Sequence, residues 1–224
     1  MLRQVLNFQP LDILPFQQGF IYLKKEYYEN GNIKGSFHYF DQSIHISEPV
    51  VRSTYLQAKF GNAFKLIVEQ IGDFISCDTS FFPNGAVAVM YKSGELRIFT
   101  SSGGQVLKCD LRYQEHPVQC PAVDEKNIWC VVPEKNCVVN YSPAEQSVLL
   151  RIGGGKSNAF DNPVSLVKVL NNLFICSRNA HKIRAIRLDD YSVKDYRDFD
   201  EPVNKYMAVY EKEYAVLDSG VYML

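Results

Sequence analysis

Short apolar runs recur along the last two-thirds of the chain, and each directly follows a turn of Gly, Asn or Lys/Glu type. The runs read AVAVMY, IWCVV, LFICS and YAVLD, they are spaced by 42, 45 and 41 residues, and they follow Gly85, Asn127, Asn172 and Glu213. Short apolar runs bounded by turn residues are typical of buried β-strands. A spacing of about 40–50 residues in a strand-rich sequence indicates a structural repeat.

Each copy of the repeat predicts four strands. A second turn follows about nine residues after the first, at Ser93-Gly94, Lys135-Asn136, Ala180-His181 and Ser219-Gly220. An alternating strand follows this turn, and in the first three copies a third turn leads to another strand. One more short strand precedes each apolar run. Four antiparallel strands joined by short turns form a propeller blade, and one blade buries its apolar faces only against neighbouring blades.

The last copy lacks its fourth strand, because the sequence stops at Leu224. The segment Leu2–Phe8 alternates like a strand and is followed by Pro10. We therefore predict that the N-terminal strand pairs with the C-terminal blade and closes the ring. Such closure covers an otherwise exposed sheet edge.

The first blade is predicted to begin at Leu11, with strands at 11–16, at 19–23 and, after an Asn30-Gly31 turn, at 34–41. The interval from Gly19 to Gly85 is too long for one blade. Within the surplus, segment 50–60 alternates enough to be a strand. Segment 62–72 fits either a helix, with Asn62 as N-cap and Gly72 beyond its end, or a hairpin limb. The blade count therefore lies between four and six, and five is the prediction.

The expected fold is all-β, a propeller of about five four-stranded blades in one domain spanning 1–224. The predicted blades are 11–72, 73–115, 116–160, 161–201, and 202–224 together with 1–8. Aromatic residues make up 13% of the sequence, which favours strands.

The formal charge is −1, so no global basic field recruits nucleic acid or an anionic membrane. No signal peptide and no membrane-spanning run is predicted. The six cysteines form no CxxC pair, and we interpret them as buried apolar residues in a reducing compartment. A cytoplasmic protein is expected; in an exported one, Cys130 and Cys137 would be the suspected disulfide pair.

Residues 153–187 resemble the NHL repeat, a β-propeller repeat. The matching features are a glycine segment at 153–155, the Phe160-x-x-Pro163 entry to a strand, the apolar run 173–176, and a turn with Asn179 and His181-Lys182-Ile183. Ala180 interrupts the usual Asn-His pair, and Ser177 lies near the usual place of an Asp. The resemblance implies a propeller and a binding role toward protein or RNA, although a few related six-bladed propellers are hydrolases or lyases.

The best candidate binding residues form a basic cluster near the second turn of the fourth predicted blade. Alternation along the following strand places its cations on one face, where they could contact an anion or RNA phosphate. The bland alternative is a solvated outer strand whose charge is offset by the acidic residues at 189–201. The candidate binding residues are Arg178, His181, Lys182 and Arg184, with Arg187 beside them.

Carboxylates offer a second possible site, since lactonase-like propellers gather oxygen ligands around a divalent metal. The candidates are Glu48, Asp78, Asp124 and Asp218, but two of them occupy ordinary turn positions. We therefore predict no metal, no cofactor and no catalytic residue. The single tryptophan, Trp129, is expected in the core.

Three hypotheses follow for function. The favoured one is a noncatalytic scaffold that presents loops to another protein. The alternatives are an RNA-binding NHL-like domain and a metal-dependent lactonase-like hydrolase. A fold that hosts many functions does not choose among them.

Overall fold

The computed structural model describes residues 2–27 and 33–224, and in them five antiparallel sheets of four strands each form a propeller. The five-blade prediction is confirmed. The predicted Asn30-Gly31 turn lies outside the described residues.

The strands follow the repeat. β1 (Arg3–Leu6) comes first in the chain. Blade 1 contains β2 to β5, at Asp12–Phe16, Gly19–Tyr27, Ile33–Asp41 and Ile46–Pro49. Blade 2 contains β6 to β9, at Cys77–Phe81, Val87–Tyr91, Glu95–Phe99 and Gln105–Asp110. A short hairpin of β10 (Arg112–Tyr113) and β11 (His116–Pro117) leads to blade 3.

Blade 3 contains β12 to β15, at Gln119–Asp124, Asn127–Val132, Cys137–Ser142 and Ser147–Gly153. Blade 4 contains β16 to β19, at Pro163–Val169, Asn172–Ser177, Lys182–Arg187 and Val193–Asp198. Blade 5 contains β20 to β22, at Val203–Val209, Lys212–Leu217 and Gly220–Met223, and takes its fourth strand from β1.

The second strand of each blade contains an apolar run of at least four residues, and both faces of this run are buried between blades. In β13, Ile128 and Cys130 pack toward blade 2, whereas Trp129 and Val131 pack toward blade 4. This arrangement explains why the repeat shows continuous apolar runs instead of strict alternation.

The N-terminal strand closes the ring, as predicted. β1 pairs antiparallel with β22, with Arg3 opposite Met223 and Leu6 opposite Val221. Leu6 is 7% exposed and belongs to the core that blades 5 and 1 share. The two chain ends are thereby joined in one sheet.

The surplus sequence between blades 1 and 2 forms two helices, α1 (Arg52–Phe60) and α2 (Phe64–Ile71). The prediction of a strand at 50–60 was wrong, because α1 buries Tyr55, Leu56, Lys59 and Phe60 at helical spacing. Gly72 follows α2 as expected, with φ 71°, but Ala63 holds the N-cap position. The side chain of Asn62 instead accepts a hydrogen bond from Gln57 Nε2 at 3.1 Å.

The helices fill the space between blades 1 and 2. Their buried side chains share one core with Ile21 of blade 1 and with Val87 and Phe99 of blade 2. The helix pair is therefore part of the ring rather than an appendage on it.

All six cysteines are free. In the register of blade 3, Cys130 lies opposite Val139 and Cys137 lies opposite Val132. The suspected pair is thus on adjacent strands, but its members do not face each other across the ladder.

Candidate functional site

The predicted basic cluster lies on blade 4, where every one of its Lys and Arg side chains already contacts a carboxylate. Arg178 forms a bidentate pair with Asp218, at 2.9 and 3.0 Å, and also contacts the amide oxygen of Asn204. The hydrogen bond from Arg178 holds the pKa of Asp218 below its ordinary value. This pair joins the second turn of blade 4 to blade 5.

Lys182 and Arg184 share one acidic partner on the neighbouring strand. Lys182 Nζ lies 2.8 Å from Asp195 Oδ2 and 3.2 Å from Asp198 Oδ1. Arg184 Nε lies 2.9 Å from Asp195 Oδ1 as an ion pair, although the N–H lacks hydrogen-bond alignment. The hydrogen bond with Lys182 lowers the pKa of Asp195.

The remaining members of the cluster lie at turns. Arg187 pairs with Asp190 three residues later. His181 is half-buried at a turn with φ 54°, and its backbone N–H donates to Arg178 O. The local acidic residues thus offset these cations. This agrees with the alternative interpretation of the cluster as a solvated strand without a binding role.

The four candidate carboxylates are not brought together. Asp124 pairs with Lys168 at 2.9 Å, and Asp218 pairs with Arg178. Glu48 is exposed on the outermost strand of blade 1, and only Asp78 reaches the centre of the ring. Within the described ranges 2–27 and 33–224, no three His, Cys, Asp or Glu side chains form a group suited to a metal ion.

A central channel of about 810 Å³ runs through the propeller and is lined mainly by the first strand of each blade. The free edge of an innermost strand leaves backbone groups without a ladder partner. Side chains from neighbouring blades supply those partners. Lys205 Nζ donates to Ile13 O at 2.9 Å, Cys120 Sγ donates to Val164 O at 3.2 Å, and Ser80 Oγ accepts from Val123 N at 2.9 Å.

The strongest polar cluster of the channel connects α1 to blade 1. Asp12 Oδ2 accepts hydrogen bonds from Lys59 Nζ at 2.6 Å and from Tyr55 OH at 2.5 Å. Burial alone would raise the pKa of Asp12, but the ammonium groups of Lys205 and Lys59 outweigh it, and the pKa lies below its ordinary value. Asp12 is therefore a buried carboxylate that stays ionised.

The amine of Lys205 and the thiol of Cys120 are among the groups that line the channel. Burial alone would lower the pKa of Lys205, yet the carboxylates of Asp12 and Asp78 outweigh it and raise the pKa, so the amine stays protonated. Burial and the neighbouring Asp78 raise the pKa of the Cys120 thiol well above its ordinary value. In these protonation states both groups donate hydrogen bonds to backbone carbonyls of the neighbouring blades.

A different surface stands out at the turns between first and second strands. In four blades the first residue of a two-residue turn has a positive φ, of 48° to 54°. Glycine, Asn and Asp are the residues that tolerate such a backbone best. The residues present are Gln17, Glu125, Leu170 and Tyr210.

Two of these turn residues are large and apolar, and among the described residues their side chains are the most exposed large apolar ones. Leu170 is 87% exposed and Tyr210 is 73% exposed. Tyr191, 46% exposed with φ 56°, lies on the turn between the third and fourth strands of blade 4. Because antiparallel strands alternate in direction, all three turns lie on the same face of the ring. We call Leu170, Tyr191 and Tyr210 the turn surface.

The sequence-level prediction did not include the turn surface. One signal was available, since Leu170 and Tyr210 stand between two predicted strands, where turn chemistry favours Gly or Asn. Periodicity assigns such residues to the neighbouring apolar runs and so hides them.

Comparisons with known proteins identify the fold. No family model matches the sequence, and no curated protein matches it. Among solved structures, a streptogramin B lyase is 9% identical with a TM-score of 0.61, over 100% of this chain and 96% of that one. Virginiamycin B lyase from Staphylococcus aureus is 9% identical with a TM-score of 0.60, over 100% and 98%.

A third similar structure, U3-55K, is 11% identical with a TM-score of 0.53, over 99% of this chain and 63% of that one. At such identities the likeness shows a β-propeller fold and nothing finer. In the described part of the chain, no helix combines the length and apolar character needed to cross a membrane.

Proposed function

We propose that this protein is a noncatalytic β-propeller scaffold, folded as one domain over residues 1–224, that binds a protein partner through the turn surface. The observation that carries the proposal is the pair of exposed apolar residues Leu170 and Tyr210 at turn positions with positive φ. The NHL-like features of residues 153–187 are consistent with such a binding role.

Folding alone gives no reason for these residues. A bulky side chain in a left-handed conformation costs about 1–2 kcal/mol. Exposed apolar area gains nothing until it is covered, and covering one Leu side chain contributes about 1.5–3 kcal/mol. Strained residues persist where they serve a function, and Tyr is enriched among the residues that dominate binding energy at interfaces.

The predicted binding residues Arg178, His181, Lys182 and Arg184 keep a secondary place in the proposal. An acidic segment of the partner, or an RNA phosphate, would have to compete with Asp195 and Asp218 for them. A double variant R178A/K182A should therefore alter partner binding less than a change in the turn surface does. Affinity of the wild-type protein for single-stranded RNA at low salt, lost in the same variant, would instead favour the RNA-binding alternative.

The test uses asparagine, which tolerates positive φ. Tagged wild-type protein and the double variant L170N/Y210N are used to capture proteins from a lysate of the source organism, with quantitative mass spectrometry as the readout. The matched control is E125N, which changes the equivalent turn position in blade 3, where a polar residue already stands.

We expect at least one protein to be enriched by the wild type and by E125N and to be lost with L170N/Y210N. Thermal melting should show that all three proteins are folded. Capture of the same proteins by all three, or no specific capture by any, would contradict the proposal.

A further inference from the structure

A cleft of about 400 Å³ opens between blades 3 and 4 and includes Tyr191 of the turn surface. Blade 3 contributes the ends of its strands that lie on this face, and blade 4 contributes the turn that carries Tyr191. Its principal lining residues are Asp124, Asn127, Trp129, Asn140, Leu149 and Tyr191.

The cleft contains a hydrogen-bond acceptor without a donor. Asn127 Oδ1 is buried and has no hydrogen-bond partner among the described residues. An unsatisfied buried acceptor is destabilising, so this atom would gain from a ligand that brings a donor. Asn127 begins β13 at the end of the sheet that meets the turn face, and its side chain lines the cleft.

The neighbouring carboxylate is only partly satisfied. Asp124 Oδ1 accepts from Lys168 Nζ at 2.9 Å, whereas Oδ2 receives only a long hydrogen bond of 3.4 Å from Trp129 Nε1. Asp124 and Asn127 face each other in the register of β12 and β13. Two acceptors thus stand side by side, and one of them is charged.

Aromatic rings complete the cleft. The rings of Trp129 and Tyr191 lie 6.1 Å apart at 52°. Two hydrogen bonds hold the turn that carries Tyr191: Tyr191 N donates to Arg187 O at 2.8 Å and Ser192 N donates to Asp190 Oδ1 at 3.0 Å. An aromatic face beside a carboxylate and a carbonyl oxygen suits a cation that carries several donors.

We propose that this cleft binds an arginine side chain of the partner protein. This inference deepens the proposed function and rests on it. The guanidinium donates to Asn127 Oδ1 and to Asp124 Oδ2 and lies against the ring of Tyr191. Arginine fits better than lysine because its planar group offers five donors in a fixed fork and stacks on aromatic rings. The same partner would also cover Leu170 and Tyr210 with apolar residues.

The chain offers a direct probe of this cleft, because Trp129 is its only tryptophan. The indole N–H gives a single resonance in a ¹⁵N–¹H NMR spectrum, and that group lines the site. The ligand probe is N-acetyl-arginine methylamide, titrated into the ¹⁵N-labelled full chain. The citrulline analogue has nearly the same shape without the charge, and the lysine analogue has a charge without the fork.

We expect a saturable shift of the Trp129 indole resonance with the arginine probe. The citrulline probe should bind about tenfold more weakly or worse, which corresponds to the loss of one charge-assisted hydrogen bond. Equal binding of citrulline and arginine, stronger binding of lysine, or no shift with any probe would overturn the arginine assignment.

Variants separate binding from stability. Asn127→Val removes the orphan acceptor at a strand position, so its melting temperature should equal or exceed that of the wild type while binding of the arginine probe is lost. Its matched control is Asn172→Val at the equivalent first position of β17, which lies outside the cleft and should bind normally. If Asn127→Val does not fold, Tyr191→Asn keeps a residue suited to positive φ and should weaken binding about tenfold. Wild-type affinity in a folded Asn127→Val or Tyr191→Asn protein would contradict the proposal.

The two proposals fail separately. If the arginine probe does not bind but partner capture still depends on Leu170 and Tyr210, only the arginine site is wrong. If the probe binds but capture is insensitive to the turn surface, the scaffold proposal is wrong and the cleft remains a site for a free arginine derivative.

Discussion

Lys59 Nζ lies 2.6 Å from Asp12 Oδ2, and this contact joins helix α1 to the innermost strand of blade 1. The side chain of Lys59 is 1% exposed and that of Asp12 is 8% exposed. Tyr55, one helical turn before Lys59, donates to the same carboxylate oxygen. The buried ion pair therefore stabilises the ring at the point where helices interrupt the repeat.

Substitution of Lys59 by methionine should destabilise the protein strongly. The variant leaves the buried Asp12 carboxylate with the hydroxyl of Tyr55, the backbone N–H of Ile13 at 2.8 Å and the longer contact to Lys205 Nζ at 3.6 Å. Breaking one side of a buried pair typically costs about 3–5 kcal/mol, and the remaining partners place the expectation near 3 kcal/mol. Urea unfolding followed by circular dichroism measures this loss.

Lys65→Met on the exposed face of α2 is the control, and its free energy of unfolding should stay within about 0.5 kcal/mol of the wild type. The double variant D12N/K59M removes both charges and should recover part of the loss. Similar free energies of unfolding for K59M and K65M would show that the Lys59–Asp12 pair does not stabilise the ring.

Acid should weaken the protein through Asp12. Its pKa in the folded state lies below the ordinary value of 3.8, so the unfolded chain binds this proton at a higher pH than the folded chain does. The stabilising contribution of ionised Asp12 is complete above pH 3.8 and is lost as the pH falls through the lower pKa of the folded state. The free energy of unfolding should therefore decline below about pH 4, and D12N/K59M should decline less steeply. An identical acid slope in both proteins would contradict this assignment.

Ring closure depends on a glycine. Gly220 has φ 151°, and a Cβ built there would lie 2.1 Å from the carbonyl oxygen of Leu6 in the paired strand β1. Gly220→Ala should therefore force β1 away and cost about 3 kcal/mol. Gly155→Ala is the control, since Gly155 also has a positive φ of 61° but has open space around it, and about 1 kcal/mol is expected there.

Thermal melting distinguishes these outcomes, and deletion of residues 1–8 should lower the melting temperature even more than Gly220→Ala. A truncated protein that melts like the full chain would show that β1 is dispensable.

The buried cysteines should resist alkylation while the protein is folded. Burial raises the pKa of Cys77 and of Cys176 to about 12 and that of Cys137 to about 11. At pH 8 a thiol of pKa 12 is about one part in ten thousand thiolate, and the thiolate is the reactive form. Mass spectrometry after iodoacetamide treatment should find these three sites unlabelled in native protein and labelled in urea. Rapid native labelling of Cys176 would contradict its burial.

The ring and its closure were predictable because they follow from a repeated pattern. Turn residues, apolar runs and a missing fourth strand are local signals in the sequence. They predict strands such as the first strand of blade 3 and the terminal strand β1. The helices were harder, because segment 50–60 mixes apolar and polar residues in a way that fits two periods. Packing between blades 1 and 2 favours the helix α1 over a strand. This packing depends on the assembled ring, which the local sequence does not show.

The candidate sites divide in the same way. The basic residues on β18 were visible in the sequence, but their pairing with Asp195 and Asp218 depends on strand neighbours that no local pattern reveals. Leu170 and Tyr210 belong by composition to apolar strands and become conspicuous only once the backbone places them at exposed turns. The orphan acceptor of Asn127 depends on burial at a single atom and leaves no trace in the sequence.

Substitution of Leu170 and Tyr210 by asparagine should leave the stability of the fold unchanged or slightly higher. At φ 53° and 54° the backbone of Leu170 and Tyr210 suits Asn better than a bulky apolar residue. The melting temperature of L170N/Y210N should therefore equal or exceed that of the wild type, as should that of E125N. A clear fall in the double variant alone would mean that Leu170 and Tyr210 stabilise the fold and need no partner.

The central claim is that the turn surface binds a protein, and titration calorimetry with the purified captured partner tests it most directly. Three proteins are compared: wild type, L170N/Y210N and E125N. Loss of one buried Leu and one buried Tyr from an interface predicts a dissociation constant raised about 100-fold or more in the double variant, with E125N unchanged. Equal dissociation constants for the wild type and L170N/Y210N would contradict the account.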